Sequence, residues 1–397
     1  MPENLRSVAP VNWIPSDKSG ATPAQGIALC LSGGGYRAML FHLGAVWRLN
    51  ELGYLKRLDR VSSVSGGSIT AGLLGLRWKP LQLDVAAQAP ETEFDALIVQ
   101  PIRKLASTTI DVESVLKGLL PFSSANEAVT KTYQACLFGD ATLQDLPDDP
   151  RFVINATSVQ SGALWRFSKP FMADWRVGVL PRPTTSLAFA VSASSAFPPF
   201  LSPARLPLDP AAFEPGSGDG LQIAPFTSEA VLTDGGVYDN LGLETAWKKF
   251  DTILVSDGGA SLAAEGNPAT DWALHSYRIL NIIDNQVGSL RKRDLIRSYK
   301  LPNTDSLHRD GTYWGMRSEI ANYPASVPSN CFFNSQNCPV TRTSALATTP
   351  TRLSALDDNL QERIMNWGYA ICDAAMHAHI DPNLPRASDF PYPLAQV

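Results

Sequence analysis

Histidine and cysteine are both scarce in this chain, with five of each in 397 residues. The cysteines form an odd set with no CxxC pair, so neither a structural zinc site nor a disulfide framework is expected. Cys331 and Cys338 flank a polar loop and could pair in an oxidising compartment; free thiols in a cytosolic protein are the simpler reading. Charge is also low: charged residues make up 18% of the chain and the formal net charge is -5, which excludes nucleic acid as the main partner. No apolar run approaches the ~20 residues that span a bilayer. Residues 1–25 lack the apolar h-region of a secretory signal. The expected location is therefore the cytoplasm, with any membrane contact peripheral. Hydrophobic residues, at 44%, are enough for a large core and exclude wholesale disorder.

What is present is an alternation of strand-like and helix-like segments. Residues 26–31 form a short apolar run that reads as a buried strand, followed by a glycine loop and a helix over 37–52 that ends at Gly53. Residues 61–64 read as a second strand and 68–78 as a second helix. Strand, helix, strand, helix predicts a parallel sheet with crossovers. Residues 80–149 look like a mostly helical insertion, for instance over 94–105 and 112–120. Residues 151–157, 163–167 and 252–256 read as strands, and 185–196 as an Ala/Ser-rich helix that stops before Pro198-Pro199. Residues 206–226 and 322–350 read as loops, and 271–300 and 352–379 as helices. The implied organisation is an extension over 1–25, a core over 26–260, and a helical and loop-rich extension over 261–397 packed on that core.

Two strand-to-helix turns carry chemistry. The first is Ser63-Val64-Ser65-Gly66-Gly67, close to the G-x-S-x-G nucleophile elbow, with serine at its first small position. Small neighbours let such a turn close tightly, and the helix start behind it favours anionic character at Ser65 Oγ. The second is Gly33-Gly34-Gly35, where backbone N–H groups can point outward unhindered and bind an anion. That anion is a phosphate or the oxyanion of an acyl intermediate. The segment matches neither the phosphate-binding G-x-x-x-x-G-K-[ST] pattern nor the dinucleotide fingerprint. Arg37 follows, placed either to brace the loop or to neutralise a lipid phosphate.

A serine nucleophile needs a proton acceptor. None of His42, His275, His308, His377 and His379 lies in a turn that would present a catalytic imidazole. Asp234, followed by Gly235-Gly236, stands at a predicted strand end, and Asp257, followed by Gly258-Gly259, stands at another. Residue chemistry alone hardly separates the two. Whichever serves must be partly buried, because only desolvation raises a carboxylate to a useful basicity.

Three motifs in order, Gly33-Gly34-Gly35-Tyr36-Arg37, Ser65-Gly66-Gly67-Ser68 and Asp234-Gly235-Gly236-Val237-Tyr238-Asp239-Asn240, resemble the patatin-like phospholipases. His42-Leu43-Gly44-Ala45-Val46 and the stretch from Val191 through Pro198-Pro199 to Phe200 are similar to the family as well. The resemblance covers roughly residues 26–260. It implies a three-layer α/β/α sandwich with a mainly parallel central sheet, and a Ser65–Asp234 dyad without histidine. It further implies an oxyanion hole at Gly33, Gly34 and Gly35, no metal or other cofactor, and phospholipid or other acyl-ester lipid substrates. Two positions depart from the family pattern: Ser63 replaces a glycine, and Leu241 stands where many relatives carry proline.

Two other functions remain to be weighed, a Ser-His-Asp esterase and a catalytically silent lipid-binding or signalling module. For lipid access the candidate apolar rims are residues 119–122 and 198–201. Arg291, Lys292, Arg293, Arg297 and Lys300 form a basic stretch that is placed to attract anionic head groups or, as the simpler reading, to form a solvated helix face.

Overall fold

The computed structural model describes residues 24–110, 122–260, 262–323 and 332–397. In strand β1 (Ala24–Leu31) successive side chains go to opposite faces of the sheet. Leu29 and Leu31 enter the larger core, Ala28 and Cys30 the smaller one on the other side. Both faces are covered, which is why this strand is continuously apolar rather than alternating.

The strands assemble in the order β10-β9-β1-β2-β3-β4-β5-β6. Strands β10 (Asp310–Gly315), β9 (Phe250–Asp257), β1, β2 (Arg60–Val64) and β3 (Arg151–Ser158) run parallel. Beyond them β4 (Leu164–Phe167), β5 (Phe171–Asp174) and β6 (Gly178–Pro181) continue antiparallel. Strand β8 (Glu229–Asp234) also pairs antiparallel with β3, and β7 (Ala204–Pro207) with β8. The central sheet is thus mostly parallel and flanked by helices, as the sequence predicts.

On the larger-core face lie α1 (Gly35–Glu51) and α2 (Gly66–Arg77), with α3 (Phe122–Tyr133) and α4 (Leu187–Ser194) further along. On the opposite face lie short helices at Gly236–Asp239 and Glu244–Trp247, and the end of the long α5 (Trp272–Ser298) through Leu295. Helix α6 (Val340–Ala347) falls inside the stretch read as a loop. Helix α7 (Asp358–His379) packs along α1. The two helices meet at glycines: a Cβ on Gly44 would strike the Met365 carbonyl, and one on Gly368 the Phe41 carbonyl. A buried ion pair, Arg48 to Asp373 at 2.7 Å, joins them further along.

Several elements differ from expectation. Strands β5, β6, β7 and β10 were not legible. Helix α7 starts at Asp358, not at 352, capped by the Asp357 side chain, because residues 353–356 bond their backbone to Ala106, Thr109 and Ile110 instead. The expected helix over 112–120, most of the 119–122 rim and the Cys331–Cys338 pairing lie outside the described residues. Among the described residues no helix is long and apolar enough to cross a membrane.

Candidate active site

Register brings the carboxyl ends of the parallel strands to one edge. Leu31 at the end of β1 is level with Ser63 on β2 and Ser256 on β9. The turns that follow these strands therefore cluster, which is where open α/β sheets hold their ligands. Asp234 arrives from the antiparallel β8, level with Ala156 of β3.

Ser65 has φ 51° and ψ -120°, a backbone conformation that a residue with a Cβ adopts only under constraint. Its neighbours supply the constraint. A Cβ on Gly67 would lie 2.5 Å from the Leu31 carbonyl oxygen, and one on Gly66 would strike the Gly35 carbonyl. The Ser65 N–H donates to Ser194 Oγ at 2.9 Å, and Ser194 Oγ donates to the Asn155 carbonyl at 2.6 Å. Ser63 fits the first elbow position because its hydroxyl is absorbed locally: it accepts from Ser68 Oγ at 3.0 Å.

Asp234 is 3% exposed. Its N–H donates to the Ala196 carbonyl, and its own carbonyl accepts from Thr157 Oγ1. Its carboxylate accepts the Gly236 N–H at 2.7 Å, and the nearby Ser65 side chain also favours its ionised form. Burial pushes its pKa up to about 7 despite both, and the charge of Asp284 adds to the rise. Asp257 is placed differently. Its carboxylate accepts from Tyr313 Oη at 2.6 Å and from the Gly259 N–H at 2.9 Å, so it is held as a turn-forming group.

Of the three loop glycines, Gly33 donates its N–H to the Asn240 carbonyl at 3.0 Å. Among the described residues the Gly34 and Gly35 N–H groups have no partner in the fold. Gly34 (φ 144°) is wedged against Gly258, whose carbonyl oxygen would lie 2.9 Å from an added Cβ. Gly35 (φ 62°) is pressed against Arg352, whose carbonyl oxygen would lie 2.6 Å away. Leu241, at the family's proline position, uses the N–H that proline lacks to bond Asp239 Oδ1 at 3.2 Å.

Arg37 is fully buried. It donates to the Gly258 carbonyl at 3.1 Å, to Thr351 Oγ1 at 3.0 Å and to the Thr349 carbonyl. Burial lowers its pKa to about 10. Its donors tie the glycine loop to two distant segments, which favours the bracing role over the phosphate-binding one.

Ser65, Asp234, Gly33, Gly34 and Arg37 all line one cavity of about 600 Å³. Gly35 stands just behind its wall. No histidine lines it. His42 is fully buried, with Nε2 against the Ser32 carbonyl at 2.9 Å and Nδ1 against Ser256 Oγ at 2.8 Å; burial lowers its pKa to about 4. It is a neutral strut between β1 and β9. His275 bonds the Ala269 carbonyl, His308 bonds the Leu301 carbonyl and Asp310, and His377 bonds the Asp373 and Leu384 carbonyls. His379 stacks near Tyr323.

The far wall of the cavity comes from α5, whose apolar residues the sequence did not mark as part of a site. Tyr277, Leu280, Ile283 and Val287 face inward, and Tyr277 meets Phe197 and Phe200 edge-on. The 198–201 rim thus sits at the cavity mouth, with Leu201 buried beneath it. The basic stretch on α5 does not act as one patch. Arg291 is drawn to Asp239, Glu244 and the Tyr238 carbonyl, Lys292 lines the cavity, and Arg293 and Arg297 are exposed.

A sequence model of the family described as patatin-like phospholipase matches residues 29–247, more than half of the chain. No curated protein matches by sequence. Among solved structures, human GIVD cytosolic phospholipase A2 in complex with methyl gamma-linolenyl fluorophosphonate inhibitor and terbium chloride is similar in fold. It is 14% identical with a TM-score of 0.50, over 88% of this chain and 58% of that one. VipD from Legionella pneumophila is 15% identical with a TM-score of 0.32, over 84% of this chain and 66% of that one. The chain thus spans about half to two thirds of the length of these structures.

Proposed function

This chain belongs to the patatin-like phospholipase family, and from that premise we propose that it is a serine hydrolase of lipid acyl esters working through Ser65 and Asp234. Family membership supports lipid acyl hydrolysis at its own level of detail. The finer reading rests on one observation: the Ser65 side chain and a buried Asp234 carboxylate, near enough for Ser65 to favour the ionised carboxylate, line one cavity, and no histidine is among the described residues that line it.

The reaction runs in two stages. Asp234 takes the hydroxyl proton as Ser65 Oγ bonds to the ester carbonyl carbon, and the carbonyl electrons move onto its oxygen. The Gly34 and Gly35 N–H groups hold that oxyanion, while the Gly33 N–H, bonded to Asn240, fixes the loop. Collapse breaks the bond to the alcohol or lysolipid, which leaves with the proton from Asp234. Water, deprotonated by Asp234, then releases the fatty acid and restores Ser65. Phospholipid or another acyl-ester lipid enters past α5, where Trp272 is 85% exposed and Leu274 and Ile283 are also exposed. This apolar helix and the adjoining rim support peripheral contact with a lipid surface.

The test is hydrolysis of a short-chain p-nitrophenyl ester and of phospholipid by Ser65→Ala and Asp234→Asn. Each should lose about three orders of magnitude or more in kcat/KM. A fluorophosphonate probe should label the native protein at Ser65 only; a folded protein that is never labelled favours a silent lipid-binding module. An active Asp234→Asn beside an inactive Asp257→Asn would move the base to Asp257.

A further inference from the structure

The cavity is lined by four cations and four carboxylates, and half of these groups already have partners. Arg37 is bonded to carbonyls and Asp257 to Tyr313 and Gly259. Asp234 is bonded to Gly236 and lies near Ser65, and Glu265 is paired with Arg278 at 3.1 Å. Four charged groups remain: Lys292, Arg317, Arg352 and Asp284. Among the described residues none of the three cations forms an ion pair with a carboxylate.

These cations come from three separate segments. Lys292 projects from α5, with its ammonium 5.2 Å from the centre of the Tyr313 ring. Arg317 follows β10, in the turn that the Met316 N–H fixes to the Asp257 carbonyl at 2.8 Å. Arg352 stands beside the glycine loop, where its carbonyl accepts the Tyr36 N–H at 3.1 Å. Burial lowers the Lys292 pKa, Asp257 offsets this in part, and Arg317 adds a smaller lowering, so the two cations are near enough to repel one another. Such an arrangement favours an anion between them, and arginine suits phosphate oxygens through its planar fork.

We infer that Lys292, Arg317 and Arg352 form a subsite that receives the phosphate of a lipid headgroup while the acyl ester lies at Ser65. The inference rests on the acyl-hydrolase reading for its orientation and on the unpaired cations for its chemistry. It differs from a role for Arg37, whose guanidinium is already taken. Among the described residues Asp284 is the one unpartnered carboxyl group in the wall, and burial together with Asp257 raises its pKa to about 6.

The experiment measures equilibrium binding to the Ser65→Ala protein by calorimetry, so no turnover is required. The probes are dihexanoylphosphatidylglycerol below its micellar concentration, uncharged dihexanoylglycerol, dihexanoylphosphatidylcholine, glycerol phosphate and inorganic phosphate. The phosphatidylglycerol should bind about tenfold or more tightly than the uncharged lipid, and the preference should weaken as salt rises. Adding Lys292→Gln with Arg317→Gln should abolish the preference. Adding Lys292→Arg with Arg317→Lys should retain it, which separates lost charge from lost folding. Equal affinity for charged and uncharged lipid, or a preference that survives both glutamines, would overturn the subsite. Inorganic phosphate or glycerol phosphate binding as tightly as the lipid would reduce it to a free-anion site. A clear preference for the choline lipid over phosphatidylglycerol would assign the wall to Asp284 instead. Loss of the acyl-hydrolase reading would show separately, as absent turnover by the native protein.

Discussion

Ser194 holds Ser65 by the main chain: the Ser194 hydroxyl accepts the Ser65 N–H at 2.9 Å, while its own carbonyl accepts the Gly235 N–H at 3.2 Å. One residue at the end of α4 thus fastens both the elbow and the turn after Asp234. Ser194→Ala leaves a buried N–H without a partner, which costs about 1–3 kcal/mol. The expected result is a lower Tm with a fall in kcat larger than the change in KM, since the two reacting groups lose their common anchor. Steady-state kinetics beside a thermal melt would check it; unchanged kcat would show that the elbow keeps its shape without this bond.

Asp234 sets the pH dependence. A base must be ionised, and burial raises this carboxyl to about 7. The rate should therefore climb with pH, bend near 7 and level off above it, falling about tenfold per pH unit on the acid side. Stability should move the other way. The folded value lies above the unfolded aspartate value of about 3.9, so the folded chain holds this proton more tightly. Its contribution is fully present below about pH 4 and is lost as pH rises through the folded value. Asp234→Asn should accordingly melt no lower than the native protein at pH 8, although it is inactive. A pH–rate profile and paired melts would measure both.

Arg37 acts through structure. Arg37→Gln strips donors from the Gly258 and Thr349 carbonyls and should destabilise the fold by about 1–3 kcal/mol. Discrimination between charged and uncharged lipid should stay as in the native protein. A selective loss of binding to the charged lipid alone would return Arg37 to the substrate.

The meeting of α1 and α7 leaves no room for a side chain at its glycines. Gly368→Ala forces the helices apart and should cost about 1–3 kcal/mol, as overpacking does. Urea unfolding would read this directly. An unchanged midpoint would mean that the contact gives way freely.

The parallel half of the sheet was legible because β1, β2 and β9 are short runs of apolar and small residues that end at glycine-bearing turns. Strand β10, Asp310–Gly315, was not legible. It is an edge strand with polar residues, and its Gly311 is needed where the chain presses on the Ile253 backbone. Strands β5 and β6 are four residues each, too short to show a period. In the cavity, the glycine loop, Ser65 and Asp234 stood out because small residues surround them in sequence. Ser194, Lys292 and Arg317 carried no such mark. Their placement depends on which segments the fold folds back toward the elbow, and local pattern does not encode that. The start of α7 was misplaced for a related reason: Leu353 and Leu356 have helical spacing, but residues 353–356 bond their backbone to Ala106, Thr109 and Ile110, and Thr349 to Arg352 lie against Arg37 and Gly35.

Those four residues impose an order on biosynthesis. As the polypeptide emerges, the elbow and the acidic turn are complete long before Thr349 and Arg352 exist to steady Arg37 and back the glycines. A nascent chain therefore carries Ser65 and Asp234 well ahead of the segment that backs Gly35. On the proposed mechanism, competence toward lipid waits until residues 349–352 have been made.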